Sequence, residues 1–185
     1  MSDRTPTPEP HAALDAAREF IHAVESKDLE TADRLLAPEA RQLFMQTHRA
    51  KTAEGVEDII AGRVKGFCVA DIKGKKDVLG YTKALFDKFT PLRWRDQRWT
   101  AAEGGREAHF YGKGDMTVAR TGKPYRNIYV IRFDIENGKI VRIAEYGNAF
   151  MYVGLLIPPN GPERRGALRA VGRMISPTMS ARSGR

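Results

Sequence analysis

Apolar residues recur at helical spacing through much of the N-terminal half of the chain. The first helical face begins after residue 10 and ends at the polar break over residues 26–28, and a short second helix is predicted over residues 29–36. The same periodicity predicts a helix over residues 75–89, which Pro91 stops, and an additional amphipathic helix over residues 52–67. The apolar positions of the first face are Leu14, Ala17, Phe20, Ile21 and Val24.

The C-terminal half shows the alternation and the turn residues of strands instead. Long strands are predicted over residues 92–102, 107–119, 124–135 and 139–150, and short ones over residues 40–46 and 67–72. Trp94 and Trp99 are an odd number of residues apart, so strand alternation predicts that they face opposite sides, one toward a pocket and one toward an interface. Helices followed by a run of antiparallel strands indicate an α+β fold with the helices on one face of a curved sheet.

The last two predicted strands form a hairpin whose turn at Asn137-Gly138 allows two registers. A two-residue loop gives both faces a mixed composition, whereas a three-residue loop that includes Glu136 gives one apolar face that ends at Glu145. We favour the second register, in which Gly138 provides a bulge and Glu145 lies directly across from Tyr129. The apolar residues of that face are Tyr129, Ile131, Phe133, Ile135, Val141 and Ile143.

Glu145 is the leading catalytic candidate, because a carboxylate on an apolar stripe is costly to bury and calls for a functional explanation. Burial would raise its pKa toward the range in which a carboxyl group exchanges protons near neutral pH. The alternative interpretation is a carboxylate at the rim of the sheet, paired with Arg126 or Arg142. Tyr129 could polarise a carbonyl group as a hydrogen-bond donor, or it could simply satisfy Glu145.

The net charge of +8 is concentrated at one end of the chain. Residues 160–185 hold six arginines against the single acid Glu163, so five of the eight excess positive charges lie there. We therefore predict a disordered lead over residues 1–10, one domain over residues 11–159 and a basic tail over residues 160–185. Neither an aromatic RNA-binding motif nor a zinc finger accompanies the tail, so nucleic acid is not expected as the main partner.

Several classes of protein are not supported by the sequence. No apolar run approaches the ~20 residues that span a bilayer, and the first twenty residues lack the order of a signal peptide, so a cytoplasmic protein is expected. The single cysteine, Cys68, excludes an intrachain disulfide and a cysteine-rich zinc site. The histidines have no metal-ligand spacing and no glycine-rich loop precedes a helix, so no metal and no cofactor are expected.

The end of the hairpin carries a motif that resembles a known family. Glu136–Ile140, then Arg142, then Glu145–Phe150 are similar to the ending of phenazine biosynthesis A/B-like proteins, within the SnoaL-like branch of the nuclear transport factor 2-like superfamily. The similarity covers about residues 74–159, and the helical front over residues 11–46 matches at superfamily level. The resemblance implies a cone of three helices and a strongly bent antiparallel sheet around a pocket, with the helix over residues 52–67 as an addition.

The resemblance also implies roles for individual residues. The glutamate of the final strand acts as an acid or base in phenazine-type proteins, and Glu145 matches it, but the helix histidine of that site is replaced by Tyr81. The tyrosine and pocket aspartate of ketosteroid isomerases fall at Phe20 and Tyr129, so a steroid isomerase of that kind is not expected. Substrate-binding candidates are Tyr81, Phe20, Phe133, Ile143 and His109, although strand parity turns His109 outward.

These observations lead to two functional hypotheses. The first is an enzyme that acts on a small hydrophobic, ring-containing biosynthetic intermediate by cofactor-free cyclisation, isomerisation or dehydration, with Glu145 as acid or base and Tyr129 as donor. The second is a non-catalytic ligand-binding or protein-interaction module of the same fold. A homodimer is also expected, because the other face of the hairpin is apolar. That face carries Ile128, Val130, Ala144 and Tyr146.

Overall fold

The computed structural model describes residues 10–45, 68–102, 104–148 and 151. The predicted helix over residues 52–67, the basic tail and all but the last residue of the lead lie outside the described residues. The helices are α1 (Pro10–Ser26), α2 (Leu29–Leu35) and α3 (Lys75–Lys88). The strands are β1 (Leu36–Met45), β2 (Cys68–Lys73), β3 (Trp94–Ala101), β4 (Glu107–Gly114), β5 (Met116–Thr117), β6 (Pro124–Tyr125), β7 (Ile128–Glu136) and β8 (Lys139–Gly147).

The helices form where apolar residues recur at helical spacing and where capping residues mark the helix ends. Asp28 caps α2 because its side chain accepts a hydrogen bond from the backbone N–H of Thr31 at 3.0 Å. Helix α3 follows Gly74, whose φ of 85° is readily adopted only by glycine. The four best-buried members of the predicted α1 face, which pack against the sheet, are Ala17, Phe20, Ile21 and Val24. None of the described helices is long and apolar enough to cross a membrane.

Six strands form one sheet in the order β2-β1-β8-β7-β4-β3. Four of the five pairings are antiparallel, and β1 runs parallel to β8. Strand β8 therefore lies in the middle of the sheet, with β1 on one side and β7 on the other. The predicted α+β fold, with the helices against one face of a curved sheet, is confirmed. We call the face that α1 covers the inner face.

The hairpin of β7 and β8 has the predicted inner face except that Ile140, not Val141, lies opposite Ile135, and it does not have the predicted register. Asn137 and Gly138 form a two-residue turn with φ of 50° and 72°, and Glu136 pairs with Lys139. A bulge at Val141, where Asp134 and Ile135 face Arg142 and Ile140, then adds one residue to β8. The combined shift from the expected register is two residues, which preserves the face of Glu145 but places Glu145 opposite Ile131. The predicted cross-strand pair of Glu145 with Tyr129 is therefore wrong.

The two tryptophans also depart from simple strand alternation. Trp94 pairs with Gly114 and Trp99 with Phe110, and both positions on β4 belong to the inner face. The register shifts between Arg95 and Arg98, where Asp96 has a φ of 53°, so one extra residue lies between the tryptophans. Both indole rings therefore contact the ring of Phe110, and the prediction that they face opposite sides is wrong.

The outer face of the sheet is part apolar and part charged. Ile128 is 54% exposed and Val130 44%, whereas Ala144 is fully buried. The apolar surface expected on this side is therefore limited mainly to the start of β7. Farther along the strands, Arg132 binds Asp134 at 2.6 Å on this face.

Candidate active site

Glu145 occupies the inner face of β8, in the centre of the sheet. Its neighbour on β1 is Phe44 and its neighbour on β7 is Ile131. The parallel pairing of β1 with β8 creates the first of these contacts, and the bulge at Val141 creates the second. A carboxyl group is thus placed between an aromatic and an aliphatic side chain.

These surroundings change the acidity of Glu145. Burial disfavours the charged carboxylate and raises the pKa of Glu145 from 4.5 to about 8, although part of the residue remains accessible to solvent. No hydrogen bond or ion pair offsets this effect within the described part of the chain. The two arginines proposed as partners are engaged elsewhere, since Arg126 lies 2.9 Å from Asp115 and Arg142 lies 3.3 Å from Asp134. The rim ion pair is therefore not what the structure shows.

Tyr129 lies on the same face and interacts electrostatically with Glu145. Burial, followed by the negative charge of Glu145, raises the pKa of Tyr129 far above its ordinary value. The phenol therefore stays protonated at any physiological pH and can act only as a neutral donor or acceptor. Tyr81 on α3 and Tyr125 on β6 also contribute to this rise, so the structure brings Tyr81, Tyr129 and Glu145 together.

Tyr125 and Asn127 belong to the same cluster but carried no signal in the sequence. Asn127 Nδ2 donates a hydrogen bond to the Tyr125 hydroxyl at 2.9 Å, and the Tyr125 hydroxyl also interacts with that of Tyr129. Asn127 Oδ1 accepts hydrogen bonds from the backbone N–H groups of Ile128 and Asn148, at 2.8 and 3.1 Å. Asn127 thus fixes the start of β7 and the end of β8 to one another and orients the two tyrosines.

Aromatic and aliphatic side chains form the rest of the surroundings. Phe44 packs edge to face on Tyr81, with ring centroids 5.0 Å apart. Phe133 and Ile143 form the next cross-strand pair after that of Ile131 with Glu145, and Phe20 packs on Phe133 at 6.1 Å. All three are at least 95% buried, so they form the apolar floor beneath Glu145. Direct contact of these three residues with a substrate remains a prediction.

His109 is the candidate that the structure does not bring to this site. It pairs with Arg132 on β7 and lies 3.8 Å from Glu107, both on the outer face. This placement agrees with its strand parity and separates His109 from Glu145 by the thickness of the sheet. Its inclusion among the substrate-binding residues is not supported by the geometry.

Glycine permits the aromatic packing at the β4 end of the inner face. A Cβ atom on Gly112 would lie 2.4 Å from Phe110 Cζ and 3.2 Å from Trp94 Cβ. A Cβ atom on Gly114 would lie 2.9 Å from Tyr129 Cε2. The rings of Phe110 and Tyr129 and the Cβ atom of Trp94 therefore occupy the space that side chains at these positions would fill.

Two surface grooves lie outside this cluster. One, of about 510 Å³, lies between the end of α1 and the start of β3, and the other, of about 240 Å³, lies beside Arg126 and Lys113. Trp94 lines the first groove at the edge of the aromatic packing, but neither groove is lined by Glu145 or Tyr129, so neither defines the candidate site. Among the described residues, no group of three histidine, cysteine or acidic side chains is arranged to hold a metal ion.

Solved structures with the same fold include proteins with several enzymatic names. A candidate SnoaL-like polyketide cyclase from Jannaschia sp. CCS1 is 11% identical, with a TM-score of 0.61 over 86% of this chain and 100% of that chain. A phenazine biosynthesis-related protein from Pseudomonas aeruginosa is 15% identical, with a TM-score of 0.59 over 80% and 86% of the two chains. A candidate isomerase from Bacillus subtilis is 21% identical, with a TM-score of 0.57 over 76% and 89%. At these identities the likeness shows the fold alone.

The sequence itself matches one family model. Among curated proteins, none matches the chain at a significant level. The model of the SnoaL-like domain, in contrast, matches residues 17–143, which is more than half of the chain and includes the C-terminal part of α1, most of the sheet and the turn of the last hairpin. The predicted resemblance is confirmed, and the chain belongs to the SnoaL-like family.

Proposed function

We propose that this chain is an enzyme that performs cofactor-free acid–base chemistry on a hydrophobic, ring-containing biosynthetic intermediate. The observation that carries the proposal is the carboxyl group of Glu145, which lies among apolar side chains with a pKa of about 8. A general acid or base is most effective when its pKa is near the working pH. An ordinary surface glutamate, with a pKa near 4.5, would not meet that condition.

The proposed chemistry starts with the removal of a proton from a carbon next to a carbonyl group. The carbon–hydrogen bond breaks, the proton passes to the Glu145 carboxylate, and the electron pair moves to the carbonyl oxygen. Return of the proton to another carbon gives isomerisation. Attack of the enolate on a second carbonyl group, whose oxygen takes the proton back from Glu145, gives cyclisation. Departure of a hydroxyl group from the β-carbon, which takes the same proton and leaves as water, gives dehydration.

Tyr129 would stabilise the negative charge that develops on the carbonyl oxygen. Its raised pKa keeps the phenol protonated beside the carboxyl group, so it can donate a hydrogen bond to that oxygen. Tyr125 and Asn127 would hold the phenol in place through the contacts described above. The three side chains form a preorganised donor arrangement, which is more effective than mobile water at the moment of reaction.

The walls of the site support a ring-shaped, apolar ligand. Phe44, Tyr81 and Ile131 surround Glu145 with aromatic and aliphatic surface rather than with charges. The names of the fold neighbours from Jannaschia and Bacillus subtilis, a candidate polyketide cyclase and a candidate isomerase, are consistent with proton-transfer reactions of this kind. The phenazine-related neighbour supports a place in biosynthesis.

A ketone with acidic α-hydrogens tests the proposal without knowledge of the natural substrate. We expect the chain to catalyse hydrogen–deuterium exchange at C1 of 2-tetralone in D₂O, followed by proton NMR. Because exchange needs the ionised carboxylate, the enzyme-dependent rate should rise with pH and level off above about 8. At pH 7 only about a tenth of Glu145 would be ionised.

The same measurement separates the two functional hypotheses. A protein that binds 2-tetralone but leaves the exchange rate at that of buffer would favour the ligand-binding module. Exchange without an inflection between pH 7 and 9 would show that a group other than Glu145 removes the proton.

We also propose that the chain forms a homodimer through the outer face at the start of β7. Ile128 and Val130 expose apolar surface there, and charged residues such as Arg132 and Asp134 border it. Light scattering at micromolar concentration is expected to give twice the monomer mass of 20.7 kDa. Val130→Lys should shift the mass to that of the monomer, because it places a charge in the proposed interface.

Lys83→Ala provides a matched control for the dimer. Lys83 lies on α3, away from the outer face of the sheet, and it is exposed and engaged with Asp87 at 3.1 Å, so its loss should leave the mass unchanged. A monomeric wild-type protein at micromolar concentration would refute the dimer and leave the proposed chemistry unaffected.

A further inference from the structure

The indole N–H group of Trp94 is a buried donor without an acceptor. Trp94 is 9% exposed, its Nε1 atom has no contact with solvent, and no hydrogen-bond partner lies within reach among the described residues. The backbone of the same residue is satisfied: its N–H donates to Glu25 Oε1 at 2.7 Å and its C=O accepts from Gln97 Nε2 at 3.1 Å. Only the indole donor is left unpaired.

An unpaired buried donor is uncommon because it gives up its hydrogen bonds with water and receives nothing in return. Phenylalanine would retain an aromatic ring at this position, and it carries no polar atom to desolvate. Because no described residue supplies an acceptor, this N–H group is a candidate donor to a bound ligand.

The position of Trp94 connects it to the candidate site. Its ring packs edge to face on Tyr129, with centroids 5.9 Å apart and planes at 85°. It packs in the same manner on Phe110 at 6.0 Å. Gly112 and Gly114 leave the room for this arrangement, so the fold brings the indole beside the phenol that we propose as the donor to a carbonyl oxygen.

We propose that Trp94 is a second ligand-binding donor of this site, and that it selects ring compounds with two acceptor oxygens. One oxygen would accept from the Tyr129 hydroxyl and be the one that gains charge during the reaction. The other, a hydroxyl or carbonyl oxygen elsewhere on the ring system, would accept from Trp94 Nε1. This inference rests on the proposed function for the site, and it names the class of substrate more closely.

Paired probes test the inference. The first is 2-tetralone, with one oxygen, and the second is 6-hydroxy-2-tetralone, with an additional oxygen on the far ring. The wild-type protein should bind the second compound about fivefold to tenfold more tightly, the contribution of one net hydrogen bond. Trp94→Phe should bind the two compounds about equally.

Trp99→Phe is the matched control. Trp99 also packs on Phe110, at 4.8 Å, but it is only partly buried and its ring lies 5.8 Å from the guanidinium carbon of Arg18. This variant should retain the preference for the second compound. Retention of the preference by Trp94→Phe, or absence of any preference in the wild-type protein, would overturn the inference, as would failure of both compounds to bind at millimolar concentration.

A spectroscopic readout does not depend on the folding of any variant. In a ¹H–¹⁵N spectrum of the wild-type protein, the indole resonance of Trp94 should move downfield with 6-hydroxy-2-tetralone and much less with 2-tetralone. An unmoved resonance at saturation would refute the inference. This readout is independent of catalysis. Glu145→Gln should lose exchange activity but still show the ligand-induced shift of the Trp94 resonance. If Glu145→Gln keeps its exchange activity, only the proposed role of Glu145 is refuted.

Discussion

Glu145→Gln is expected to remove catalysis of exchange and at the same time to stabilise the fold. Glutamine has nearly the same shape but cannot accept the proton, so the enzyme-dependent exchange of 2-tetralone should fall by about 10²–10⁴-fold. Ligand binding should persist, since the apolar walls and Tyr129 are unchanged. Exchange followed by NMR and thermal unfolding of the two proteins would measure both effects.

The gain in stability should depend on pH in a defined direction. The folded state raises the pKa of Glu145 from 4.5 to about 8. Between these values the folded protein binds a proton that the unfolded chain releases, so the wild-type free energy of unfolding falls as the pH rises. A shift of this size corresponds to at most ~5 kcal/mol at ~1.4 kcal/mol per pH unit. Because Glu145 is partly exposed, we expect Glu145→Gln to be more stable by about 2 kcal/mol above pH 8, and by little below pH 4.5.

Glu107→Gln is the control for this prediction. Glu107 is also a glutamate of the sheet, but it lies on the outer face and binds Arg132 at 2.9 Å. Its replacement should lower stability slightly and leave exchange unchanged. Marked destabilisation by Glu145→Gln, with exchange intact, would show that the carboxylate of Glu145 has a structural role instead.

Gly112→Ala should produce the largest loss of stability among conservative changes near the site. The new methyl group would lie 2.4 Å from Phe110 Cζ, and Phe110 is completely buried, so its ring has no free space to move into. Overpacking of this kind costs about 2–3 kcal/mol. Chemical denaturation should detect it as a lower midpoint.

Gly80→Ala is the matched control for Gly112→Ala. Gly80 lies on the exposed side of α3, and a Cβ atom there would meet nothing within 4 Å. Alanine is the better helix former, so this variant should be more stable by about 0.5–1 kcal/mol. Equal effects of the two changes would contradict the aromatic packing described for the inner face.

The side of the sheet that a residue faces was easier to predict than the residue it pairs with. Side chains alternate along a strand, so a shift by an even number of residues leaves every side chain on the same face. The turn at Asn137-Gly138 and the bulge at Val141 together shift β8 by two residues, an even number that returns Glu145 to the predicted face. The extra residue near Asp96 shifts β3 by one, and this odd number reverses the predicted side of one tryptophan. The same kind of irregularity therefore preserved one prediction and overturned the other.

Other parts of the site depend on contacts between distant segments. Phe44 reaches Glu145 because β1 pairs in parallel with β8, about a hundred residues later in the chain, and no local pattern encodes that choice of neighbour. Asn127 lies in the break between β6 and β7, where strand periodicity gives no information. Its role is visible only once Tyr125 and Asn148 are placed around it.

The sequence alone determined which residues favour helix or strand, which face of the last hairpin is apolar, and that Glu145 interrupts that face. These are local properties, set by side-chain polarity at periods of 3.6 and 2. The tertiary structure alone decided how acidic Glu145 is, which aromatic groups surround it, and that Trp94 lies beside Tyr129. Those properties depend on burial and on the order of strands in the sheet, since desolvation and packing act through space between segments that are remote in the chain.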